Sequence, residues 1–136
     1  MKIYLAVPII AHRQLENAKA IAQIIRSLGN ELISDWVINE NPDFLMPAQK
    51  VFQRDLNGLK NCQVIVAEIS HGSHGVGMEI MAAYLYGKPI IFVCEEGATV
   101  SYMLRGVPNS IFLSYNSHED MAEKLRTAIL GVSSHL

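Results

Sequence analysis

Continuous apolar runs alternate along the chain with segments that are apolar on one side only. The short runs Ile3 to Val7, Val64 to Ile69 and Ile90 to Cys94 are typical of strands covered on both faces. Between them, apolar residues recur at spacings of three and four, as from Leu15 to Leu28, which indicates amphipathic helices. Strands that alternate with helices pair in parallel through right-handed crossovers. The pattern predicts one α/β domain over residues 1–136, with a doubly wound five-stranded parallel sheet of flavodoxin-like or Rossmann-like kind and helices on both faces.

The other predicted elements follow the same pattern. A loop from Asn39 to Pro47 has an apolar middle and is a candidate lid. The remaining elements are a second strand at Glu31 to Ile38, a fifth strand at 110–114, and helices over 48–60, about 76–86, 99–105 and from 117 onward.

Composition restricts the class of partner. Half of the residues are apolar, 18% are charged, and the formal net charge is −2 with no run of one sign. Such a balance offers no electrostatic footprint for a nucleic acid polymer or an anionic membrane, so an anionic ligand has to be held locally. The two cysteines, Cys62 and Cys94, lie in or beside apolar runs and look like reduced thiols. We expect a cytoplasmic protein, because Pro8 interrupts the apolar start and no run approaches the ~20 residues of a membrane span.

A glycine-rich segment from His71 to Glu79 follows the predicted third strand, at the sheet edge where such folds bind ligands. Its glycines, among them Gly75 and Gly77, let a ligand approach the backbone, and the next helix turns its N–H groups toward the same space. Ser73 adds a hydroxyl donor. The segment suits an anion such as a phosphate, although a tight turn and a carboxylate that favours the helix dipole explain the same residues.

Asp55 is a second unusual carboxylate, beside the Glu79 that ends the glycine-rich segment. It lies four residues from both Val51 and Leu59, within the apolar stripe of its helix, where an ionised group is costly unless it is paired or used. Its helix leads into the third strand, which brings it near the edge that carries Glu79. Two carboxylates in one pocket are the arrangement that cleaves glycosidic bonds. The alternative is an Asp55 that is only hydrogen-bonded or turned to solvent.

Two further features bear on ligands and assembly. His71 and His74 form a His-x-x-His pair without a third residue at metal-ligand spacing, so we expect hydrogen-bonding histidines and no bound metal. The third long helix is apolar nearly all round, more than one sheet can cover. We therefore expect a homodimer whose interface includes Met81, Tyr84 and Leu85, the alternative being an unusually well-covered helix.

Four parts of the chain resemble the nucleoside 2-deoxyribosyltransferase superfamily, and most closely its 2'-deoxynucleoside 5'-phosphate N-hydrolase branch. They are Tyr4 in the first strand, Arg-Asp-Leu-Asn-Gly-Leu at 54–59, Val-Ile-Val-Ala-Glu at 64–68 and Gly-Val-Gly-Met-Glu at 75–79. The resemblance covers nearly the whole chain and is most specific between Asp55 and Pro89.

The resemblance implies roles for individual residues. In that family the glutamate that matches Glu79 is the nucleophile, and the aspartate that matches Asp55 assists protonation of the base or orients the site. The tyrosine that matches Tyr4 supports these carboxylates. The serines that match Ser73 and Ser101 hold the 5'-phosphate, with Ser101 reaching in from the partner subunit of a dimer.

The chain departs from the family in the loop after the first strand. Where the family has Gly-Ser-Ile-Arg-Gly-Gly, this chain has Val-Pro-Ile-Ile-Ala-His at 7–12, so Pro8, Ile10 and His12 stand at the substrate and Ile10 replaces the arginine. His12 and Arg13 are the nearby residues that can substitute for it. Trp36 stands where a histidine often lies beside the base, and its indole either stacks on the base or fills the core.

These residues imply an enzyme that hydrolyses 2'-deoxynucleoside 5'-monophosphates to free base and 2-deoxyribose 5-phosphate through a covalent intermediate on Glu79. No metal or organic cofactor is expected. One alternative is a transferase that exchanges bases on unphosphorylated deoxynucleosides, which the missing arginine favours. The other is a nucleotide-binding module without catalysis, because one fold hosts many functions.

Overall fold

The computed structural model describes residues 1–41 and 46–136. The α-helices in this part are α1 (Leu15–Ser27), α2 (Ala48–Asn61), α3 (His74–Leu85), α4 (Tyr102–Arg105) and α5 (His118–Ser133). The strands are β1 (Lys2–Ala6), β2 (Glu31–Leu32), β3 (Val64–Glu68), β4 (Ile90–Glu95) and β5 (Ser110–Tyr115). A single 3₁₀ turn, Asp35–Ile38, follows β2.

The five strands form one parallel sheet in the order β2-β1-β3-β4-β5. This order is the flavodoxin-like one, so the predicted fold class is confirmed and the choice between its two forms is made. The chain leaves β1 toward one edge and returns to β3 on the other side of β1. The loops after β1 and β3 therefore diverge at the carboxyl edge, and the crevice between them is where such sheets bind ligands.

Side chains along each strand alternate between two cores because the period of a strand is two residues. Ile3 and Leu5 of β1 point to the face covered by α1 and α5. Tyr4 and Ala6 point to the other face, where Leu59 of α2 and Ile80 of α3 pack. Tyr4 is therefore buried beneath the two helices that carry the predicted carboxylates.

The predicted second strand, Glu31 to Ile38, is wrong in extent because only Glu31 and Leu32 pair with β1. The cause is Ser34, whose hydroxyl accepts from Leu5 N at 2.8 Å and donates to Leu5 O at 2.9 Å. One buried side chain thereby satisfies both backbone groups that a longer strand would have paired. Released from the sheet, the chain turns through Asp35–Ile38 and places Trp36 beside Tyr4.

Two other predictions concern the candidate lid and the start of the third long helix. The candidate lid falls partly on residues 42–45, which lie outside the described residues. The third long helix begins at His74, two residues before the predicted start, because Ser73 caps it by accepting from Val76 N. In the part of the chain that the structure describes, no helix is long and apolar enough to cross a membrane.

Candidate active site

An open cleft lies between α2 and α3 and contains both predicted carboxylates. Its volume is about 210 Å³. Asp55 enters it from α2 and Glu79 from α3. The rest of its lining is apolar or backbone: Ala48, Val51, Phe52, Leu56, Leu59, Gly75 and Met78. A mostly apolar cleft with two carboxylates suits a flat organic group such as a nucleobase together with a reactive polar centre.

Tyr4 fixes Glu79 from below. The fully buried Tyr4 hydroxyl donates a hydrogen bond to Oε2 of Glu79. A Cβ added to Gly75 would lie 4.0 Å from the other carboxylate oxygen, Oε1, so the glycine keeps the approach to that oxygen open. The bond joins β1 of the sheet to α3 at the side of the cleft and sets the orientation of the Glu79 carboxylate.

The electrostatics of Tyr4 show how closely the charged groups surround it. Burial raises the pKa of its hydroxyl far above the ordinary range, and the charge of Glu79 and its hydrogen bond, followed by the charge of Asp55, raise the pKa further. The charge of Arg54 acts in the opposite direction. Tyr4 therefore stays protonated and acts as a hydrogen-bond donor throughout the neutral range.

Asp55 is paired with its neighbour Arg54. Arg54 Nε donates to Asp55 Oδ1 at 2.9 Å, and Arg54 Nη2 lies 2.8 Å from the same oxygen. The two side chains are only 18% and 22% exposed. The cost of a carboxylate in the apolar stripe of α2 is thus offset by a charged partner.

Trp36 contacts both halves of this arrangement. The Arg54 guanidinium lies over its ring at 4.3 Å from the centroid, and the Tyr4 ring meets it edge to face at 6.0 Å. Gly58 of α2 makes room for both aromatic rings, since a Cβ there would lie 2.9 Å from Tyr4 Cε2 and 3.3 Å from Trp36 Cη2. The indole packs against both cores, which agrees with the core-filling alternative, and it also supports Arg54. Base stacking stays a prediction.

A second polar cluster occupies the crevice between the loops after β1 and β3. The imidazole rings of His12 and His71 stack with centroids 5.0 Å apart and planes 8° apart. His12 has a φ of +59°, a left-handed conformation that costs a non-glycine residue energy and often marks a functional site. Pro8 and His71 line the small pocket beside this stack together with His12 and five others: Val7, Gln14, Asn17, Ala18 and Glu68.

Glu68 closes the inner end of that pocket and is only 5% exposed. Its Oε1 accepts from Ser70 N at 2.6 Å, and its Oε2 accepts from Asn17 Nδ2 at 2.9 Å and from the Tyr115 hydroxyl. Asn17 Nδ2 also donates to the Tyr115 oxygen at 2.8 Å. This buried network ties α1, β3 and β5 to the start of the loop that leads to α3.

Ile10 and Arg13, from the same loop, do not line the pocket beside the histidine stack. Ile10, which stands where the family has an arginine, is 75% exposed. Arg13 turns the other way and donates to the backbone carbonyls of Val37, Asn39 and Glu40. The interpretation of Arg13 as a substitute phosphate ligand is therefore wrong, because its guanidinium closes the turn after Trp36.

The remaining predicted site residues lie at helix starts. Ser73 caps α3, Gly75 lines the cleft, and Gly77 is exposed in the first turns of α3. Ser101 is exposed and caps α4 by accepting from Met103 N at 3.2 Å. Each of these serines uses its oxygen as a cap acceptor, which leaves its hydroxyl proton to be donated elsewhere.

Sequence reasoning missed Arg54, Gly58 and the Glu68 network. Neighbours on a helix point about 100° apart, so the pattern gives no sign that Arg54 bends back to Asp55. A glycine in a helix likewise does not show, from sequence, which side chains pack against it. Glu68 did carry a signal, because a charged residue that ends a buried strand needs partners.

The outer surface of α3 bears on assembly. Met81, Tyr84 and Leu85 are exposed, Leu85 by 71%. Tyr102 and Met103 of α4 are exposed apolar residues as well.

Within residues 1–41 and 46–136, the structure forms no group of three or more His, Cys, Asp or Glu side chains that could hold a metal ion.

Comparison with known proteins gives a match over most of the chain. The family model described as nucleoside 2-deoxyribosyltransferase matches residues 3–126. A protein of Thermofilum pendens named "Putative 2'-deoxynucleoside 5'-phosphate N-hydrolase 1" is 35% identical over 138 aligned residues, which cover 96% of each chain. A rat protein named "5-hydroxymethyl-dUMP N-hydrolase" is 42% identical over 60 residues, which cover 43% of this chain and 37% of the rat protein.

Solved structures with the same fold include a CMP N-glycosidase of Clostridium botulinum, with a TM-score of 0.76 at 22% identity over 94% of this chain and 99% of that one. A 2-deoxyribosyltransferase of Bacillus psychrosaccharolyticus aligns with a TM-score of 0.68 at 24% identity over 90% of both chains. At these identities the structures establish the shared fold.

Proposed function

Because the chain belongs to the nucleoside 2-deoxyribosyltransferase family, and is thus an N-glycosidase or a deoxyribosyltransferase, we propose that it hydrolyses 2'-deoxynucleoside 5'-monophosphates. The products are the free base and 2-deoxyribose 5-phosphate. The relative from Thermofilum pendens bears a name of this activity and aligns over nearly its whole length.

The observation that carries the proposal is the placement of two carboxylates in one cleft, each held by its own partner. Glu79 is held by the Tyr4 hydroxyl and Asp55 by Arg54. Separate anchoring lets the two groups take different roles, as glycosidases require. The apolar lining from Val51, Phe52 and Met78 suits a base above the sugar.

In the proposed reaction an oxygen of Glu79 attacks C1' of the deoxyribose. The electron pair of the C1'–N bond passes to the base nitrogen, which takes up a proton that Asp55 relays from water or that water donates directly. Water then attacks C1' and loses a proton to solvent, while the electron pair of the C1'–O bond returns to the Glu79 carboxylate. Two inversions give net retention at C1'. A substrate without a 2'-hydroxyl forms the cationic transition state more easily, which favours deoxynucleotides.

The 5'-phosphate is proposed to lie at the His12–His71 stack, close to Ser73 and the N-terminus of α3. Two adjacent imidazoles, one of them held at a left-handed φ, offer ring N–H donors in the crevice where this fold binds ligands. They stand in for the charge-assisted contact that Ile10 cannot make. We expect monophosphates to be preferred over nucleosides by a smaller margin than in relatives that keep the arginine.

The exposed Ile10 also favours the second candidate function, transfer of the deoxyribosyl group to another base. In that case an incoming base replaces water in the second step. Conversion of deoxyinosine plus adenine into deoxyadenosine distinguishes transfer from hydrolysis.

The exposed apolar residues of α3 support the proposal of a homodimer. In such a dimer Ser101 at the start of α4 would reach the phosphate end of the partner's cleft. Each proposed active site therefore includes Ser101 of the partner subunit beside the residues of its own chain.

Chromatography of the bases released from a panel of deoxynucleotides and deoxynucleosides tests the function. The wild-type protein should release base from monophosphates, and Glu79→Ala should abolish the release because a nucleophile has no local substitute. Glu123→Ala, at an exposed glutamate of α5, is the control and should be fully active. Turnover of Glu79→Ala above about a tenth of the wild-type value would exclude the nucleophilic role.

A further inference from the structure

The side chain of Arg54 takes a constrained pose to reach Asp55. Adjacent residues on a helix project about 100° apart, so Arg54 reaches Asp55 only by folding its side chain back along α2. A long side chain loses conformational freedom in that pose, and an exposed pair of this kind gains little. The two side chains are nevertheless largely buried, with two guanidinium nitrogens within 2.9 Å of Asp55 Oδ1.

Trp36 supports this pose of Arg54. Its ring lies 4.3 Å from the centre of the Arg54 guanidinium, and a planar cation is attracted to the face of an indole. The indole is itself held by its edge-to-face contact with Tyr4 and by the space that Gly58 leaves. Tyr4 in turn holds Glu79. The two carboxylates are thus connected behind the cleft by one continuous set of contacts.

We propose that Arg54, held flat on Trp36, is a positioning residue that orients the Asp55 carboxylate toward the departing base. This inference deepens the proposed function and rests on it. Arg54 acts on the leaving group through Asp55, whereas Tyr4 acts on the nucleophile. The nature of the leaving group therefore separates its effect from a general loss of the site.

Two substrates make this separation measurable. The base of dGMP needs a proton as it leaves. The base of 7-methyl-dGMP already carries a positive charge, so it departs as a neutral molecule without taking up a proton. A residue that serves proton delivery to the base matters for the first substrate and little for the second.

The kcat of Arg54→Ala should fall on dGMP by at least about tenfold, part of the 10²–10⁴-fold that positioned proton transfer contributes. On 7-methyl-dGMP its kcat should stay within about twofold of the wild-type value, because that base needs no such assistance. Asp55→Asn should show the same selective loss of kcat on dGMP, and Glu79→Gln should lose activity on both substrates. Arg26→Ala, at an exposed arginine of α1, is the matched control and should change neither.

Conservative variants keep the test decisive if Arg54→Ala does not fold. Arg54→Lys keeps the charge, but a lysine cannot lie flat on the indole with two N–H groups on one oxygen. Its loss of kcat on dGMP should therefore be nearly as large as that of Arg54→Ala. Trp36→Phe keeps an aromatic face and should lose less than Trp36→Leu. Thermal unfolding of each variant establishes that it is folded.

The possible failures are distinguishable. Full activity of Arg54→Lys, or equal losses of Arg54→Ala on both substrates while Asp55→Asn is selective, would overturn the positioning role alone. An unselective Asp55→Asn would also overturn it, because Arg54 is inferred to act through Asp55. If the wild-type protein releases base from neither substrate, the proposed function falls and this inference falls with it.

Discussion

The Tyr4 hydroxyl donates a hydrogen bond to Oε2 of Glu79, a residue that lies 75 positions later in the chain. The donor comes from the third residue of β1, and the acceptor from the middle of α3. The bond therefore forms only when α3 is docked on the sheet, so the geometry of the proposed nucleophile depends directly on the fold.

Removal of this bond should slow the reaction more than it weakens the protein. Tyr4→Phe keeps the buried ring and deletes the donor, and a hydrogen bond to a charged group contributes roughly 1.5–3 kcal/mol. We expect kcat to fall roughly ten- to 150-fold, with a small change in melting temperature. Steady-state kinetics and thermal unfolding check this, and an unchanged kcat would show that Tyr4 only fills space.

Alanine at Gly58 should destabilise the protein, although alanine usually favours a helix. Its Cβ would lie 2.9 Å from the Tyr4 ring, and overpacking of this kind costs about 1–3 kcal/mol. The control is Gly131→Ala in α5, where a Cβ meets nothing within 4 Å and should stabilise by up to ~1 kcal/mol. Urea unfolding of both variants decides, and a stabilised Gly58→Ala would contradict the close contact.

Loss of an imidazole from the His12–His71 stack should weaken the hold on phosphate. We expect His12→Ala to raise the KM for a monophosphate by about tenfold or more, because hydrogen bonds to a charged group are lost, and to leave the KM for the nucleoside unchanged. Ser73→Ala should act in the same sense. His118→Ala, at the exposed start of α5, serves as the control. Equal effects on the KM of both substrates would show that the phosphate does not bind in this crevice, and would favour the transferase.

A charge on the outer surface of α3 should dissociate the proposed dimer. Leu85→Asp places a carboxylate where we expect apolar contact with the second copy, and an unpaired charge in an interface is costly. Leu130→Asp, at an exposed leucine of α5, is the matched control. Light scattering at micromolar concentration should show a dimer for the wild type and the control, and a monomer for Leu85→Asp. A monomeric, fully active wild type would contradict both the dimer and the role of Ser101.

Stability should fall with rising pH partly because of Cys62. Burial raises the pKa of this thiol from 9.0 to about 11. Between these values the unfolded chain has lost the thiol proton and the folded chain retains it, so the free energy of unfolding decreases as pH rises. Cys62→Ala should flatten this decrease between about pH 9 and 11. Identical slopes for the two proteins in urea unfolding at several pH values would contradict the assignment.

The alternation of parallel strands and helices was accessible from sequence because each element has a repeated pattern, whereas the order of the strands was left open between two forms. Apolar runs mark buried strands, and the stripes of α1 and α5 have the period of a helix. The second strand was overextended because a single hydroxyl, that of Ser34, ends its pairing with Leu5. One side chain that replaces a ladder of hydrogen bonds leaves no periodic trace in the sequence.

The site was accessible only in part. Asp55 stood out as a charge in an apolar stripe, and Glu79 as an acid after a glycine-rich segment. The support behind them did not, because Trp36 and Arg54 meet through tertiary packing. The conformation that brings His12 onto His71 is likewise a property of the folded loop.

From the order of the cleft residues along the chain we expect two parts of the sequence to be under different evolutionary constraints. The lining of the cleft and its supports lie between Tyr4 and Glu79, whereas β4, β5 and α5 complete the sheet and its cover. We expect substitutions in the later part to be limited mainly by stability and, around α4, by assembly and by the phosphate contact proposed for Ser101. In the earlier part we expect the chemistry of the cleft to limit them as well. A lineage that acquires a new base specificity would be expected to record most of its substitutions before residue 80.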